Sequence, residues 1–159
     1  EGTRVLVAFP APVEIDPEIS SGGSRRKISV QGHRRPRIMV LEDEPLIRQL
    51  LVANLEQEGF EVFETEDGVD TVKHYIESYH HGNPFDLVIA DLSIPNGVGG
   101  AKAIEDIMQI DPGVKAIVSS GYSDDPVMAN PESFGFSGVL PKPYQPKQLL
   151  SLVRSVLAV

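Results

Sequence analysis

The sequence LVIAD at residues 87–91 decides the fold class, because four consecutive apolar residues lead directly into a single carboxylate. A continuous apolar run of this length is typical of a strand that is buried on both faces of a parallel sheet. The sequence IMVL at residues 38–41 repeats this pattern and is followed by the acids EDE at 42–44. Three further strand candidates lie at residues 60–65, 116–118 and 138–140.

Apolar residues at helical spacing predict a helix after each strand. The first helix runs from Pro45 to about Gly59, and the second begins at Asp67. Three more are predicted near residues 98–110, 126–130 and 145–157. The apolar positions of the first helix are Leu46, Ile47, Leu50, Leu51 and Leu55. Those predicted to face inward on the second are Val69, Val72 and Ile76. The alternation predicts an α/β fold, a three-layer, doubly wound, five-stranded parallel sheet covered on both faces.

Charge is distributed unevenly along the 159 residues. Residues 1–37 carry seven Lys or Arg and four Asp or Glu, a balance of +3, whereas residues 38–159 carry seven and nineteen, a balance of −12. Such an acidic body repels a phosphate backbone, so we expect no nucleic-acid partner. No apolar run approaches the roughly 20 residues of a membrane-spanning helix, so we expect no membrane contact by this chain. The absence of cysteine fits a cytoplasmic location.

The beginning of the chain differs in composition from the rest. Residues 11–36 are rich in Pro, Gly, Ser and charge without a sustained period, which predicts a linker. Residues 1–10, EGTRVLVAFP, contain one short β-prone run that Pro10 ends. We therefore expect one folded domain at residues 37–159, preceded by a linker.

Polar side chains follow four of the five predicted strands, and the carboxyl ends of neighbouring parallel strands meet at one edge of a sheet. These groups should therefore converge. Carboxylates brought together repel one another unless a cation intervenes, and hard oxygen ligands suit Mg²⁺. The converging residues are Glu42, Asp43 and Glu44 after the first strand, Asp91 after the third, Ser119 and Ser120 after the fourth, and Lys142 after the fifth.

This set of groups is suited to phosphoryl transfer, whose catalysis depends on positioning and charge neutralisation. Asp91 is the candidate nucleophile because it stands as a single acid at the end of a central buried strand. Its attack on phosphorus would form an acyl phosphate. Glu42 and Asp43 are adjacent and are candidates for a metal-binding pair. Each residue alone also fits a structural role, such as an acid at a helix N-terminus, a turn residue or a surface lysine. Their joint occurrence at four strand ends favours function.

Residues 37–157 resemble a response-regulator receiver domain. The resemblance rests on the stretches IMVLEDEPLIRQLL, DLVIADLSIPNGVGG, IVSSGYS and GVLPKPY. It implies the flavodoxin-like receiver fold with strand order 2-1-3-4-5, in a domain that accepts a phosphoryl group from the phosphohistidine of a histidine kinase, with Mg²⁺ required. The resemblance also implies residue roles. Asp91 would be the phosphoacceptor, Ser120 and Lys142 would contact the phosphoryl oxygens, and the metal would be bound by Glu42, Asp43, Asp91 and the carbonyl of Ser93.

Some positions depart from the pattern of that family. Glu42 stands where Asp is common, and Val139 stands where many receivers carry Tyr or Phe, which argues against an aromatic switch. Ser93 and Tyr122 stand at positions that tune the lifetime of phosphoaspartate. Neither is an acid or an amide that would orient an attacking water, so we expect a long-lived phosphoaspartate. The resemblance further implies a cis peptide bond at Lys142–Pro143.

Residues 1–10 resemble the end of a histidine-kinase ATP-binding domain, in which Gly-Thr is followed by a strand and a proline. The parent protein would then be a hybrid sensor histidine kinase, with residues 11–36 as a tether between domains. Such a kinase is attached to the membrane in some cases and not in others. The expected partners are a histidine kinase or a histidine phosphotransfer domain, and a homodimer remains open.

Three other function classes compete with phosphorelay signalling. A metal-dependent phosphohydrolase also uses an aspartyl nucleophile, but it usually needs a second Asp two residues on, where this chain has Ser93. A flavin-binding electron carrier would need a phosphate-receiving loop after the first strand, and EDEP at 42–45 would repel phosphate. A pseudo-receiver that acts only by binding is disfavoured, because every expected chemical group is present.

Overall fold

The structure is a computed structural model of the chain and describes residues 34–95 and 97–158. The predictions for residues 1–10 and for most of the linker at 11–36 lie outside the described residues. Within them, strands and helices alternate five times. The elements are β1 (Arg37–Leu41), α1 (Pro45–Gln57), β2 (Glu61–Thr65), α2 (Gly68–His80), β3 (Leu87–Asp91), α3 (Gly100–Met108), β4 (Ala116–Ser120), α4 (Pro126–Ala129), β5 (Gly138–Pro141) and α5 (Pro146–Leu157). A 3₁₀ turn at Pro131–Phe134 follows α4.

All five strands are parallel, and their order across the sheet is β2-β1-β3-β4-β5. The predicted fold class and strand order are confirmed. The register places Asp91 at the end of β3 opposite Ser119 of β4. Since β1 and β4 flank β3, the loops that follow all three strands open at the same edge of the sheet.

Two hydrophobic layers cover the faces of the sheet, as the continuous apolar strands predict. Helices α1 and α5 cover one face, and α2, α3 and α4 cover the other. Buried residues of the first layer include Ile38, Val40, Leu51, Leu55, Ile89, Ile117, Leu149 and Val153. Those of the second include Met39, Leu41, Tyr75, Val88, Ala103, Ile104, Ile107 and Val118.

One residue predicted to face inward on α2 is exposed, and so are two of the apolar residues of α1. On α2 the inward residues are Gly68, Thr71 and Tyr75, whereas Val69 is 59% exposed, so the inward prediction for Val69 is wrong. A Cβ on Gly68 would overlap the carbonyl oxygen of Val98, and this close packing fixes which face of α2 turns inward.

On α1 the buried residues are Arg48, Leu51 and Leu55. Leu46 and Leu50, which share the apolar spacing, are 75% and 58% exposed. The helix thus carries apolar side chains on a face that no other described element covers.

The predicted helix boundaries are close to the observed ones. Gly59 follows α1 with φ of 89°, the left-handed conformation that glycine adopts without strain. Asp67 caps α2 by accepting a hydrogen bond from the backbone N–H of Val69. The Lys142–Pro143 peptide bond is cis, as expected. Among the described residues, no helix is both long enough and apolar enough to cross a membrane.

Candidate functional site

A cleft of about 430 Å³ opens at the carboxyl ends of the strands. The β1–α1 loop (residues 42–44) supplies one wall, the end of β3 the floor, and the residue after β5 the opposite wall. Six residues are predicted from the sequence to bind the phosphoryl group or the metal, and five of them line this cleft. They are Glu42, Asp43, Asp91, Ser93 and Lys142.

Lys142 bridges the two most buried carboxylates of the cleft. Its Nζ donates to Glu42 Oε2 at 2.7 Å and to Asp91 Oδ2 at 2.8 Å. Glu42 is only 1% exposed and Asp91 only 4% exposed, so their charges would be costly without this ammonium. One cation therefore compensates two acids that lie at the ends of different strands.

The electrostatics of the bridge favour a charged lysine. Burial by itself would lower the pKa of Lys142, but its hydrogen bonds to Asp91 and Glu42 outweigh burial and raise the pKa. Burial also raises the pKa of Glu42, and the neighbouring charge of Asp91 adds to this, while Lys142 opposes it. The cleft thus favours the charged form of Lys142, whereas burial opposes ionisation of Glu42.

Three carboxylates of the cleft are close enough to share one metal ion. One oxygen each from Glu42, Asp43 and Asp91 lies within 4.8 Å of the others. All are hard oxygen donors, which suits Mg²⁺. The backbone N–H of Ser93 donates to Asp91 Oδ1 at 3.0 Å, so the chain after β3 folds back over the acid. The donor set fits the predicted metal.

Ser120 is the sixth predicted residue, and its hydroxyl does not line the cleft. The side chain is buried, and its Oγ accepts a hydrogen bond from the backbone N–H of Tyr122 at 3.1 Å. Ser120 ends β4, the strand next to β3. Because the Oγ of Ser120 only accepts in this bond, its own hydrogen can still donate to a phosphoryl oxygen on Asp91 if the side chain turns toward the cleft.

Two residues of the site were not found from the sequence. Arg48 is buried on α1 and donates to the backbone carbonyls of Glu42 and Asp43. Its spacing to Leu51 and Leu55 puts a charge in the inward stripe of the helix, a signal that was available. Tyr144 lines a pocket together with Lys142, and burial, with the charges of Glu42 and Asp91, raises the pKa of its phenol.

The receiver domain of response regulators is the family that matches this chain, over residues 38–154. Sensor kinase CckA of Brucella abortus is 30% identical over 120 residues, which cover 76% of this chain and 12% of that protein. The CAI-1 autoinducer sensor kinase/phosphatase CqsS of Vibrio cholerae is 34% identical over 134 residues, 82% of this chain and 19% of that protein. The chain thus spans less than a fifth of either kinase.

Solved structures agree with this match at the level of the fold. A receiver domain protein of Methanospirillum hungatei superposes with a TM-score of 0.69 at 23% identity, covering 79% of this chain and 95% of that one. The chain therefore belongs to the response regulator receiver domain family, whose members act in two-component phosphorelay signalling.

Proposed function

We propose that Asp91 accepts the phosphoryl group, with Mg²⁺ bound by Glu42, Asp43, Asp91 and the backbone carbonyl of Ser93. Receiver domains in general depend on Mg²⁺ and interact with histidine kinases or phosphotransfer proteins. The observation that carries the proposal is the position of Asp91, which lies at the floor of the cleft in contact with Lys142 and close to the carboxylates of Glu42 and Asp43.

The chemical step follows from these positions. An Asp91 oxygen attacks phosphorus, an O–P bond forms, and the P–N bond to the donor imidazole breaks with its electron pair going to nitrogen. The product is an acyl phosphate on Asp91 and a neutral histidine. The Lys142 ammonium balances charge on the phosphoryl oxygens without moving far, because it already lies 2.8 Å from Asp91. Bound Mg²⁺ would supply further charge neutralisation and orientation.

The hydrolase alternative is not favoured. Such an enzyme would need an acid two residues after the nucleophile, and Ser93 at that place offers only a hydroxyl, with its N–H bonded to Asp91. For the same reason we infer a long-lived phosphoaspartate, since neither Ser93 nor the exposed Tyr122 is suited to activate water. Loss of the phosphoryl group within seconds at neutral pH would contradict this inference.

The partner is proposed to dock on an apolar surface beside the cleft, which we call the α1 rim. The α1 rim consists of Leu46, Ile47, Leu50, Pro143 and Tyr144, and most of it encloses an apolar pocket of about 330 Å³. A phosphohistidine must bring its imidazole to bonding distance of Asp91, so the surface around it has to cover the mouth of the cleft. The exposed leucines are the apolar area available there, and a histidine kinase or phosphotransfer domain is the occupant we propose.

The parent protein is proposed to be a hybrid sensor histidine kinase located in the cytoplasm or facing it, with residues 1–10 from its ATP-binding domain and 11–36 as a tether. The likeness to two sensor kinases supports this proposal. A homodimer through α4 stays a prediction, and the four residues of α4 provide little helical surface for it.

The decisive experiment is incubation with Mg²⁺ and acetyl phosphate, followed by intact mass measurement. The wild-type chain should gain the mass of one phosphoryl group. Asp91→Asn should gain none, and Asp124→Asn, a matched change in an exposed loop acid, should behave as wild type. A gain by Asp91→Asn, or no gain by wild type with Mg²⁺ present, would overturn the proposal.

A further inference from the structure

The β2–α2 loop (residues 66–67) carries no residue to which the proposed function gives a chemical role. It nevertheless lies in hydrogen-bonding contact with the two segments that carry the proposed metal ligands. These are the β1–α1 loop and the β3–α3 loop, the latter defined here by its described residues 92–95 and 97–99. We propose that Arg48 and Asp67 are positioning residues that use the β2–α2 loop to hold these two loops at a fixed separation, and thereby set the affinity for Mg²⁺. The inference rests on the metal site of the proposed function.

Arg48 connects the β1–α1 loop to the β2–α2 loop. Its Nη1 donates to the carbonyl oxygen of Glu42 at 2.7 Å and to that of Asp43 at 3.3 Å, while its Nη2 donates to Glu66 Oε1 at 2.6 Å. The side chain is 10% exposed, so the guanidinium is fixed by these bonds rather than by water. Both carbonyls belong to residues whose carboxylates approach Asp91. Arg48 therefore fixes the backbone from which two ligands project.

Asp67 connects the β2–α2 loop to the β3–α3 loop. Its Oδ1 accepts from the N–H of Val69 at 2.6 Å and caps α2, whereas its Oδ2 accepts from the N–H of Val98 at 3.3 Å. The N–H of Gly68 donates back to the carbonyl of Val98 at 3.0 Å. A Cβ on Gly97 would overlap Asp67 Oδ2, so the Asp67 carboxylate lies directly against the backbone of the β3–α3 loop.

Residues at both ends of the β3–α3 loop contact Asp91. The N–H of Ser93 bonds to Asp91, and a Cβ on Gly100 would come within 2.6 Å of the Asp91 carbonyl oxygen. Contacts thus run continuously from Asp43 through Arg48 and Asp67 to the loop that contains Ser93. Mg²⁺ demands near-ideal octahedral geometry at short distances, so its affinity should respond to small changes in loop separation.

The test compares Mg²⁺ affinity, measured by isothermal titration calorimetry well below the unfolding transition, across four proteins. Asp67→Asn keeps one acceptor oxygen for the α2 cap but presents an amide that cannot accept from Val98. Arg48→Lys keeps the charge but cannot bond both carbonyls and Glu66 together. Each variant should bind Mg²⁺ roughly tenfold more weakly than wild type, as expected when groups that hold metal ligands are lost.

The matched control is Asp125→Asn. Asp125 also caps a helix, α4, but within residues 34–95 and 97–158 its carboxylate accepts from the backbone N–H of Val127 alone, at 2.8 Å. This control makes the same change of charge in a residue that also caps a helix but does not bond the β3–α3 loop, so it should retain wild-type affinity. In the acetyl phosphate reaction, the rate deficits of Asp67→Asn and Arg48→Lys should shrink as Mg²⁺ is raised, because a higher concentration compensates for weaker binding.

The outcomes separate the inference from the function. If wild type binds Mg²⁺ and both variants bind it equally well, the positioning role is wrong and the phosphoacceptor proposal stands. If wild type binds no Mg²⁺, both proposals fail. If the two variants do not fold, Glu66→Ala replaces them, because Glu66 is 71% exposed and alanine removes the oxygen that accepts from Arg48 Nη2. Unchanged affinity in Glu66→Ala would then overturn the role of Arg48.

Discussion

The Nζ of Lys142 lies 2.8 Å from Oδ2 of Asp91, although β5 and β3 are separated in the sheet by β4. The lysine side chain therefore reaches across the end of β4 to arrive at the acid. The same ammonium lies 2.7 Å from Glu42 Oε2. Removal of this one charge would leave two buried carboxylates facing each other.

Lys142→Met should lower the free energy of unfolding at neutral pH by about 3 kcal/mol, the low end of the cost of breaking a buried ion pair. Mg²⁺ should restore more stability to this variant than to wild type, because no ammonium competes for the two carboxylates. Urea unfolding with and without Mg²⁺ measures both effects. Equal stability of the two proteins without metal would show that Glu42 and Asp91 do not depend on the bridge.

Replacement of the exposed leucines Leu46 and Leu50 by serine should slow phosphoryl transfer from a protein donor but not from a small-molecule donor. Transfer from a phosphorylated histidine phosphotransfer protein should slow about tenfold, the effect of losing about 1.4 kcal/mol of docking energy. Phosphorylation by acetyl phosphate should not change, because this small donor needs no docking surface. Ile110→Ser, at an exposed apolar residue between α3 and β4 and remote from Asp91, is the control. Equal rates from the protein donor would exclude the α1 rim as the docking surface.

Substitution by alanine should lower stability at one glycine near the cleft and leave it almost unchanged at another. A Cβ on Gly100 would lie 2.6 Å from the Asp91 carbonyl oxygen and 2.9 Å from Ala90 Cβ, and backbone cannot easily give way. Gly100→Ala should therefore cost about 2 kcal/mol of stability. Nothing lies within 4 Å of the same position on Gly121, so Gly121→Ala should stay within about 0.5 kcal/mol. Thermal unfolding of both variants compares them directly.

Stability should fall at alkaline pH, in part through Tyr144. Burial raises the pKa of its phenol above the ordinary 10.0, and the charges of Glu42 and Asp91 add to the effect. The unfolded chain then loses this proton at lower pH than the folded protein does, so the folded state binds more protons and loses stability as pH rises above about 10. Burial raises the pKa of Tyr75 in the same direction.

Tyr144→Phe should therefore show a smaller loss of unfolding free energy than wild type between about pH 9 and about pH 11. Urea titrations at both pH values measure this difference. Tyr122→Phe, a change at a tyrosine that is 70% exposed, should leave the wild-type slope intact. An identical slope in Tyr144→Phe would mean that its hydroxyl ionises equally in the folded and unfolded states.

Much of this architecture follows from local pattern. Buried parallel strands need apolar residues on both faces, so runs such as 38–41 and 87–90 can be recognised as strands without any tertiary information. Parallel strands bring their carboxyl ends to one edge, so the proximity of Glu42, Asp91 and Lys142 could be expected from topology alone. The sequence by itself therefore determined the fold class and five of the residues that line the cleft.

Contacts between distant segments decided the rest. Val69 has the spacing of an inward residue, but the packing of Gly68 on Val98 turns it outward. Ser120 has the right place on β4, yet the N–H of Tyr122 holds its hydroxyl out of the cleft. The bonds of Arg48 and Asp67 join loops that lie far apart along the chain, and no local periodicity encodes them. Only the tertiary structure could decide these features, because each depends on which backbone groups the fold brings within hydrogen-bonding distance.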